Sequence, residues 1–464
     1  MALPPTRHLV LAASITGAGT SPYAATWPGT RPYRFAEWEH YRHAAEVARR
    51  GVLDAVFVSD MPAHTGHRER GAGQVLDPIA SFSAIAAAVP DIGFVLTAST
   101  SYNSPYNLAR RIATLELISG GRTILNLVTN FNPAVAANFG SAALLPRAER
   151  YRRAAEFVDV LEQLWDSWQL PEEPRDDGLL WGEETGNPIH HDGEFFHVAG
   201  PLNVPSGPQG RPVLSQAGAS GPGLDFAAAH AEMVYAATLS KELAVRFRAD
   251  LASRVRAAGR EPADVRVVPG VNIILGDTEA EARRRHEACF GAADEDQLIE
   301  RFLAAQRDWS QPGLPARIDY DAPLDPAWLE PDPEQNKPIG FSRALQELVA
   351  AEGLTPRQVV RRYGEPGGHR LLVGTPRQVA DALLDWWSDG VVDGYVAHFP
   401  VLPEDLERFV DQVVPILQAE GAFPRSYAES GRTVRERLGL PDPRSSRTAP
   451  PTTATEELHV AHGR

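Results

Sequence analysis

The chain has 464 residues, of which 43% are hydrophobic and 23% charged, with a formal net charge of −15 at pH 7. This is the balance of a globular chain long enough to bury a sizeable core. The acidic charge, with no lysine- or arginine-rich block, argues against nucleic acid or an anionic membrane as a partner, and a single cysteine, Cys289, excludes internal disulfides and Cys-rich metal sites.

No stretch approaches the roughly 18 apolar residues of a membrane span. The apolar part of "MALPPTRHLVLAAS" is short and runs into the polar "TGAGTSPYAATW", so it reads as a buried strand rather than a leader, and a cytoplasmic location is expected. "HLVLAASI", from His8, is the first predicted strand, and "EWEHYRHAAEVARRG" (Glu37 to Gly51) an amphipathic helix stopped by glycine. "LDAVFVSD" (Leu53 to Asp60) is the second strand. Asp77 and Pro78 then mark a helix start over "DPIASFSAIAAAV". "IGFVLTAST" is the third strand, "SPYNLARRIATLELIS" a helix closed by Gly120 and Gly121, "RTILNLVTN" the fourth strand and "ERYRRAAEFVDVLEQLWDSW" a long helix. "PVLSQAG" with "GLDFAAAHA" forms the fifth strand–helix unit, and "MVYAAT" with Ser240 to about Arg260 the sixth. "VRVVPGVNIILG" with "TEAEARRRHEACF" is the seventh. The helix "TPRQVADALLDWWSDG", the strand "VDGYVAHFP" and the closing helix "PEDLERFVDQVVPILQAEG" follow.

About eight strands, nearly all separated by helices, favour an α/β fold of the (β/α)8 barrel type over an open doubly wound sheet. A single domain over 1–440 is expected, with insertions at about 130–148, 170–210 and 292–366, and a disordered Pro/Ser/Thr-rich tail over 441–464. The insertion at 170–210 contains a hairpin candidate, "GEFFHVAGPLNV", and that at 292–366 looks partly helical around "GFSRALQELVAAEG". Insertions of this length tend to cover an active-site face.

In such a barrel, sites form where strands end and helices begin. Those positions carry Ser59 and Asp60, Thr97 to Thr100, Thr129 and Asn130, Gln216, and His398. Asn126, inside an apolar strand, is a buried amide that needs partners. After the fifth strand, "SQAGASGPG" brings small residues to a helix start. Free amides there, with Gly218 and Ala219 allowing close approach and Ser220 adding a hydroxyl, suit an anion such as phosphate. No Gly-x-Ser-x-Gly elbow, Walker motif or Gly-x-Gly-x-x-Gly after a strand is present. His190 and His191 are adjacent and point opposite ways on a strand, and His64 and His67 lack a carboxylate partner set, so no metal site is assigned.

The pieces "DAVFVSD", "LTASTSY", "PYNLARRIATLELISGGR", "NLVTN", "RYRRAAEFVDVLEQLWDSW", "HDGEFFHVAGPLNVPSGPQGRPVLSQAGAS", "VGTPRQVADAL" and "YAESGRTVRERLGL" run in one order over most of the chain. Together they resemble the bacterial luciferase-like flavin-dependent monooxygenases, in the branch of nitrilotriacetate monooxygenase and dibenzothiophene-sulfone monooxygenase. The resemblance implies a TIM barrel with insertions that uses FMN as FMNH2, supplied by a separate NAD(P)H:flavin reductase. It implies reaction with O2 through a flavin C4a-(hydro)peroxide to oxygenate a small organic substrate at a C–N, C–S or C–H bond. A homodimer or homotetramer is usual for that family.

Carried over position by position, the flavin contacts fall on Asp60, Thr97, Asn126 or Thr129, Tyr151 and Ser220, with Tyr151 and Ser220 at the phosphate. Departures are Leu125 for a tryptophan, Asn130 for a serine, and Arg147 and Asn103 for histidines. Arg147 has three readings: a guanidinium fork on the flavin phosphate, recognition of an acidic substrate, or a solvent position. With two acid/base histidines replaced, no general base is assigned. The alternatives to a monooxygenase are a deazaflavin- or NAD(P)H-linked oxidoreductase on the same barrel and a catalytically silent flavin-binding protein.

Overall fold

The computed structural model describes residues 8–21, 23–31, 34–64, 76–141, 143–167, 186–218, 221–290, 295–309, 314–331, 339–363 and 368–444. The first strands follow the apolar runs: β1 (Val10–Ser14), β2 (Ala55–Val58), β3 (Gly93–Ser99) and β4 (Thr123–Val128) are buried at nearly every residue. Continuous burial is the mark of parallel strands covered on both faces. Helices α1 (Trp38–Arg50), α2 (Pro78–Ala88) and α3 (Pro105–Ser119) separate them, α4 (Pro133–Asn138) lies in the 130–148 insertion, and α5 (Arg147–Asp166) follows. The expected helix signals operate: Asp77 accepts the Ala80 amide at 2.8 Å, and Gly120 ends α3 in the left-handed conformation at φ 68°.

The hairpin β5 (His191–Asp192) and β6 (His197–Val198) stands apart as a small antiparallel pair. The sheet resumes with β7 (Val213–Ala217), α6 (Gly221–His230), β8 (Met233–Tyr235) and α7 (Lys241–Ala257). The single seventh strand expected from the sequence is two strands, β9 (Arg266–Val267) and β10 (Gly270–Leu275), parted by Val268 and Pro269. Proline cannot donate to a ladder, so the strand bends there. β9 pairs with β8, while β10 pairs with β12 (Gly394–His398), and β12 pairs back to β1, all in parallel. Backbone bonds cross the bend, Val268 N to Val234 O at 2.9 Å and Val396 N to Pro269 O at 3.0 Å. The bent strand thereby closes eight strand positions into a barrel.

The insertion at 292–366 carries α9 (Glu295–Trp309), α10 (Ile339–Glu352) and α11 (Pro356–Tyr363), after α8 (Glu279–Phe290). These helices share a core of their own, including Ile299, Phe302, Leu345, Leu348 and Val359. After the insertion comes a strand not expected from the sequence, β11 (Arg370–Gly374), which pairs in parallel with β10 on the side opposite β12. The helix α12 (Pro376–Ser388) precedes β12. The expected closing helix is two, α13 (Glu404–Gln412) and α14 (Val414–Ala419), the second carrying Pro415 in its first turn. Inside the barrel, Val10, Ala12, Phe57, Val95, Ile124, Val213 and Val396 meet, with Val434, Leu438 and Leu440 of the C-terminal segment closing the end opposite the strands' carboxyl termini. Of the expected tail, residues 445–464 lie outside the described residues.

Asp393 secures the barrel seam. It is 5% exposed, and its carboxylate accepts both the Val267 amide and the Arg248 guanidinium at 2.9 Å, while its backbone bonds Val10 and Val267. Asp393→Ala strands the Val267 amide and is expected to cost about 2–3 kcal/mol. Chemical denaturation measures this; an unshifted midpoint would remove Asp393 from that role.

Candidate active site

The carboxyl ends of the strands surround a cavity of about 660 Å³. That lies within the roughly 300–1,000 Å³ usual for cofactor and small-molecule sites. Of the residues singled out in the sequence, Asp60, Thr97, Asn126, Thr129, Arg147, Tyr151 and Gly218 border this one space, as do Ser59, Asn130, Gln216 and His398. Ala219 and Ser220 lie outside the described residues, as does His67.

One wall comes from β2, β3, β4, β7 and the start of α5. Asn126 donates to Thr97 Oγ1 at 3.0 Å across neighbouring strands, where register sets the two residues side by side. Its Oδ1, together with Gln216 Oε1 and Asn130 Nδ2, is buried with no hydrogen-bond partner among the described residues. His369 Nδ1, on the far side of the same cavity, is orphaned too, and such atoms are costly unless a ligand meets them. Asn130 sits at φ 50°, a left-handed conformation that asparagine tolerates better than most residues. At Gly218 a Cβ would lie 2.4 Å from Gln216 Nε2, so the turn needs glycine to leave that amide in place. Arg147 and Arg150 project from the first turn of α5. Burial lowers both guanidinium pKa values, and for Arg150 the neighbouring Arg147 charge lowers it further. Burial, with Asp77 adding repulsion, raises the Asp60 carboxyl from 3.8 to about 6.

The opposite wall was only partly visible in the sequence. Tyr235, at the end of β8, has its hydroxyl 2.7 Å from both His369 Nε2 and His398 Nε2. Tyr235 obeys the same strand-end rule that flagged His398; extending the rule to "MVYAAT" finds it. His369 arrives through the insertion just before β11, and no local signal marks it. Phe341, from α10, also reaches the cavity. Asn103, where a histidine is common in the resembled family, instead braces the β3–α3 loop: it donates to Ser99 O at 2.8 Å and accepts from Arg111 at 2.9 Å. His191 is held by Glu156 and Gln163, each at 3.2 Å, in the hairpin region. Among the described residues no three His, Cys, Asp or Glu side chains gather as metal ligands, and no helix is long and apolar enough to cross a membrane.

A closed parallel barrel with a roomy, partly unsatisfied site at its strand ends defines the architecture of a barrel enzyme that holds an organic ligand there. Residues 19–393 match the family model described as luciferase-like monooxygenase, and the chain belongs to that family. It is 36% identical over 440 residues to nitrilotriacetate monooxygenase component A of Aminobacter aminovorans, covering 91% of this chain and 94% of that one. The solved EDTA monooxygenase from Chelativorans sp. BNC1 superposes with a TM-score of 0.79 at 40% identity, over 94% of this chain and 99% of that one. A riboflavin lyase solved with a modified FMN and riboflavin gives 0.78 at 25% identity, over 94% and 97%. The protein is accordingly a flavin-dependent monooxygenase with the TIM-barrel fold of its relatives.

Because the folded state raises the Asp60 pKa, it binds more protons than the unfolded chain between about pH 4 and 6, and stability falls as pH rises through that window. The buried His398, pushed down from 6.5 to about 4 by burial, works in the opposite sense over the same range. Asp60→Asn is therefore expected to gain stability relative to the parent as pH rises from 4 to 6, with a constant difference above that. A difference that stays flat across the window in paired denaturation curves would contradict the raised carboxyl.

Proposed function

We propose that this chain is the oxygenase component of a two-component system, receiving FMNH2 from a separate NAD(P)H:flavin reductase and using O2 to oxygenate a small organic substrate. The observation that carries the reading is the set of orphaned buried atoms on Asn126, Asn130 and Gln216 beside Arg147, Arg150 and Tyr151. Donors and acceptors of that kind suit the edge of a flat heterocycle, and two arginines suit a phosphate. Relatives whose names identify a monooxygenase component and an FMN complex support it.

In this reading Asp60, Thr97, Asn126 and Thr129 hold the ring system. Arg147, Tyr151 and the Gly218–Ala219–Ser220 turn hold the phosphate, with the amino end of α6 adding its favourable dipole. Reduced flavin supplies the activation of O2 when bound. The protein's share is orientation and exclusion of water: strand-end side chains fix the ring, and the first turn of α10 adds Ile339 and Phe341 to the cavity wall. Arg147 is assigned to the phosphate rather than to solvent, since it borders the cavity and burial already lowers its pKa.

Rapid mixing of the FMNH2-loaded protein with oxygenated buffer should show reoxidation at least about tenfold slower than free FMNH2, as expected of a water-excluding site. Reoxidation at the free rate, with tight binding of a deazaflavin instead, would sink the proposal. Arg147→Ala is expected to weaken FMN by about tenfold, or about 1.4 kcal/mol, in a fluorescence titration. An unchanged Kd would take Arg147 out of the pocket.

A further inference from the structure

The cavity has two unlike halves. Its groups ionised at neutral pH are, among the described residues, Asp60, Arg147 and Arg150, contributed by the β2 strand end and α5. The half built by β8, β12, α10 and the residue before β11 carries Tyr235, His398, Phe341 and His369 and no such charge. Burial pushes both histidine pKa values down, His398 to about 4, and pushes the Tyr235 phenol up. All three are neutral at pH 7.

Their geometry is specific. The two imidazole rings stack 4.8 Å apart at an interplanar angle of 8°. Tyr235 stacks on Phe57 at 5.8 Å, and Phe341 meets the His369 ring edge-on at 5.4 Å. A phenol has one proton, yet its oxygen stands 2.7 Å from a ring nitrogen on each side. It donates to one imidazole and accepts an N–H from the other, so the two histidines must be opposite tautomers. The arrangement also depends on the seam of the barrel. At Gly270, the first residue after the bend, a Cβ would lie 2.5 Å from His369 Nδ1 and 2.6 Å from the Tyr235 hydroxyl. Only glycine leaves this space, so the backbone that closes the barrel also accommodates the triad.

We propose that Tyr235, His369 and His398 form the substrate subsite of this cavity, made for an uncharged molecule that presents a hydrogen-bond-accepting oxygen or nitrogen beside an apolar or aromatic body, and unsuited to an aminopolycarboxylate. This rests on the flavin occupying the charged half. Phe57 and Phe341 supply the apolar contact, and the phenol turns its proton from a histidine to the incoming acceptor at no cost in charge. A polycarboxylate placed here would surrender its hydration to a wall with no cation to replace it. The subsite thus departs from the substrates named for the nitrilotriacetate and EDTA relatives.

The test titrates the protein, with and without saturating FMN, with dibenzothiophene sulfone, dimethyl sulfone and nitrilotriacetate, reading intrinsic fluorescence and calorimetric heat. At least one neutral sulfone should bind more tightly than nitrilotriacetate. Tyr235→Phe should weaken that sulfone about fivefold to tenfold, the worth of one hydrogen bond in a dry site, while leaving the FMN Kd unchanged. His398→Leu should lose sulfone binding in the same way, and His398→Gln, which keeps an N–H near the Nε2 position, should restore part of it; melting curves establish that each variant folds. Tighter nitrilotriacetate binding, no binding of either sulfone, or sulfone binding indifferent to Tyr235→Phe overturns the proposal. Failure to bind FMN would instead sink the flavin reading, and the titration of flavin-free protein would still decide the subsite.

Discussion

This chain closes its parallel sheet into a ring with one bent strand, and β11 pairs beside it on β10 alone. The first half of the seventh strand pairs with β8 and the second half with β12, with Val268 and Pro269 between them. Asp393 binds the Val267 amide, and its backbone bonds Val10, so β12, β1 and β9 are tied at one point. Everything functional depends on that closure. Strand ends converge on a common cavity only because the strands form a ring, and side chains more than 200 residues apart in sequence, such as Asp60 and His398, then border one space.

Closure also shapes the chemistry of the cavity. The bend delivers Gly270 beneath Tyr235 and His369, where any larger residue would displace them. The result is a site divided by charge. Arginines and orphaned amide atoms lie on the β2–β7 side, and a neutral aromatic and imidazole wall lies on the β8–β12 side. Such a division suits two occupants that differ in polarity, one carrying an anionic group and one carrying none. Burial is the common cause on both walls: it keeps the histidines neutral, raises the Asp60 carboxyl and makes the unpaired amide atoms costly without a ligand.

Much of the barrel is legible in the sequence. Apolar runs gave β1 to β4 their places, Asp77 and Pro78 marked the start of α2, and Gly120 marked the end of α3. The strand-end rule pointed to Asp60, Thr97, Thr129 and His398, and the buried amide of Asn126 stood out because an apolar strand rarely carries one. The split of the seventh strand was less clear, since "VRVVPGVNIILG" reads as one apolar run and only the proline hints at the bend. β11 escaped because "RLLVG" is short and sits behind an irregular insertion. His369 was beyond reach for the same reason: its place at the cavity depends on where that insertion returns to the sheet.

The sequence by itself determined the element types, their order and the polar residues at most strand ends, because these follow from local periodicity, capping and strand position. It also carried enough family-specific runs to indicate a flavin-dependent monooxygenase. The tertiary structure alone decided that the seventh strand bends to close the ring, that the insertion sends Phe341 and His369 to the cavity, and that Tyr235 stands between two neutral histidines. Those outcomes come from contacts between segments more than 100 residues apart. Their energetics depend on shared burial, which no local stretch of sequence contains.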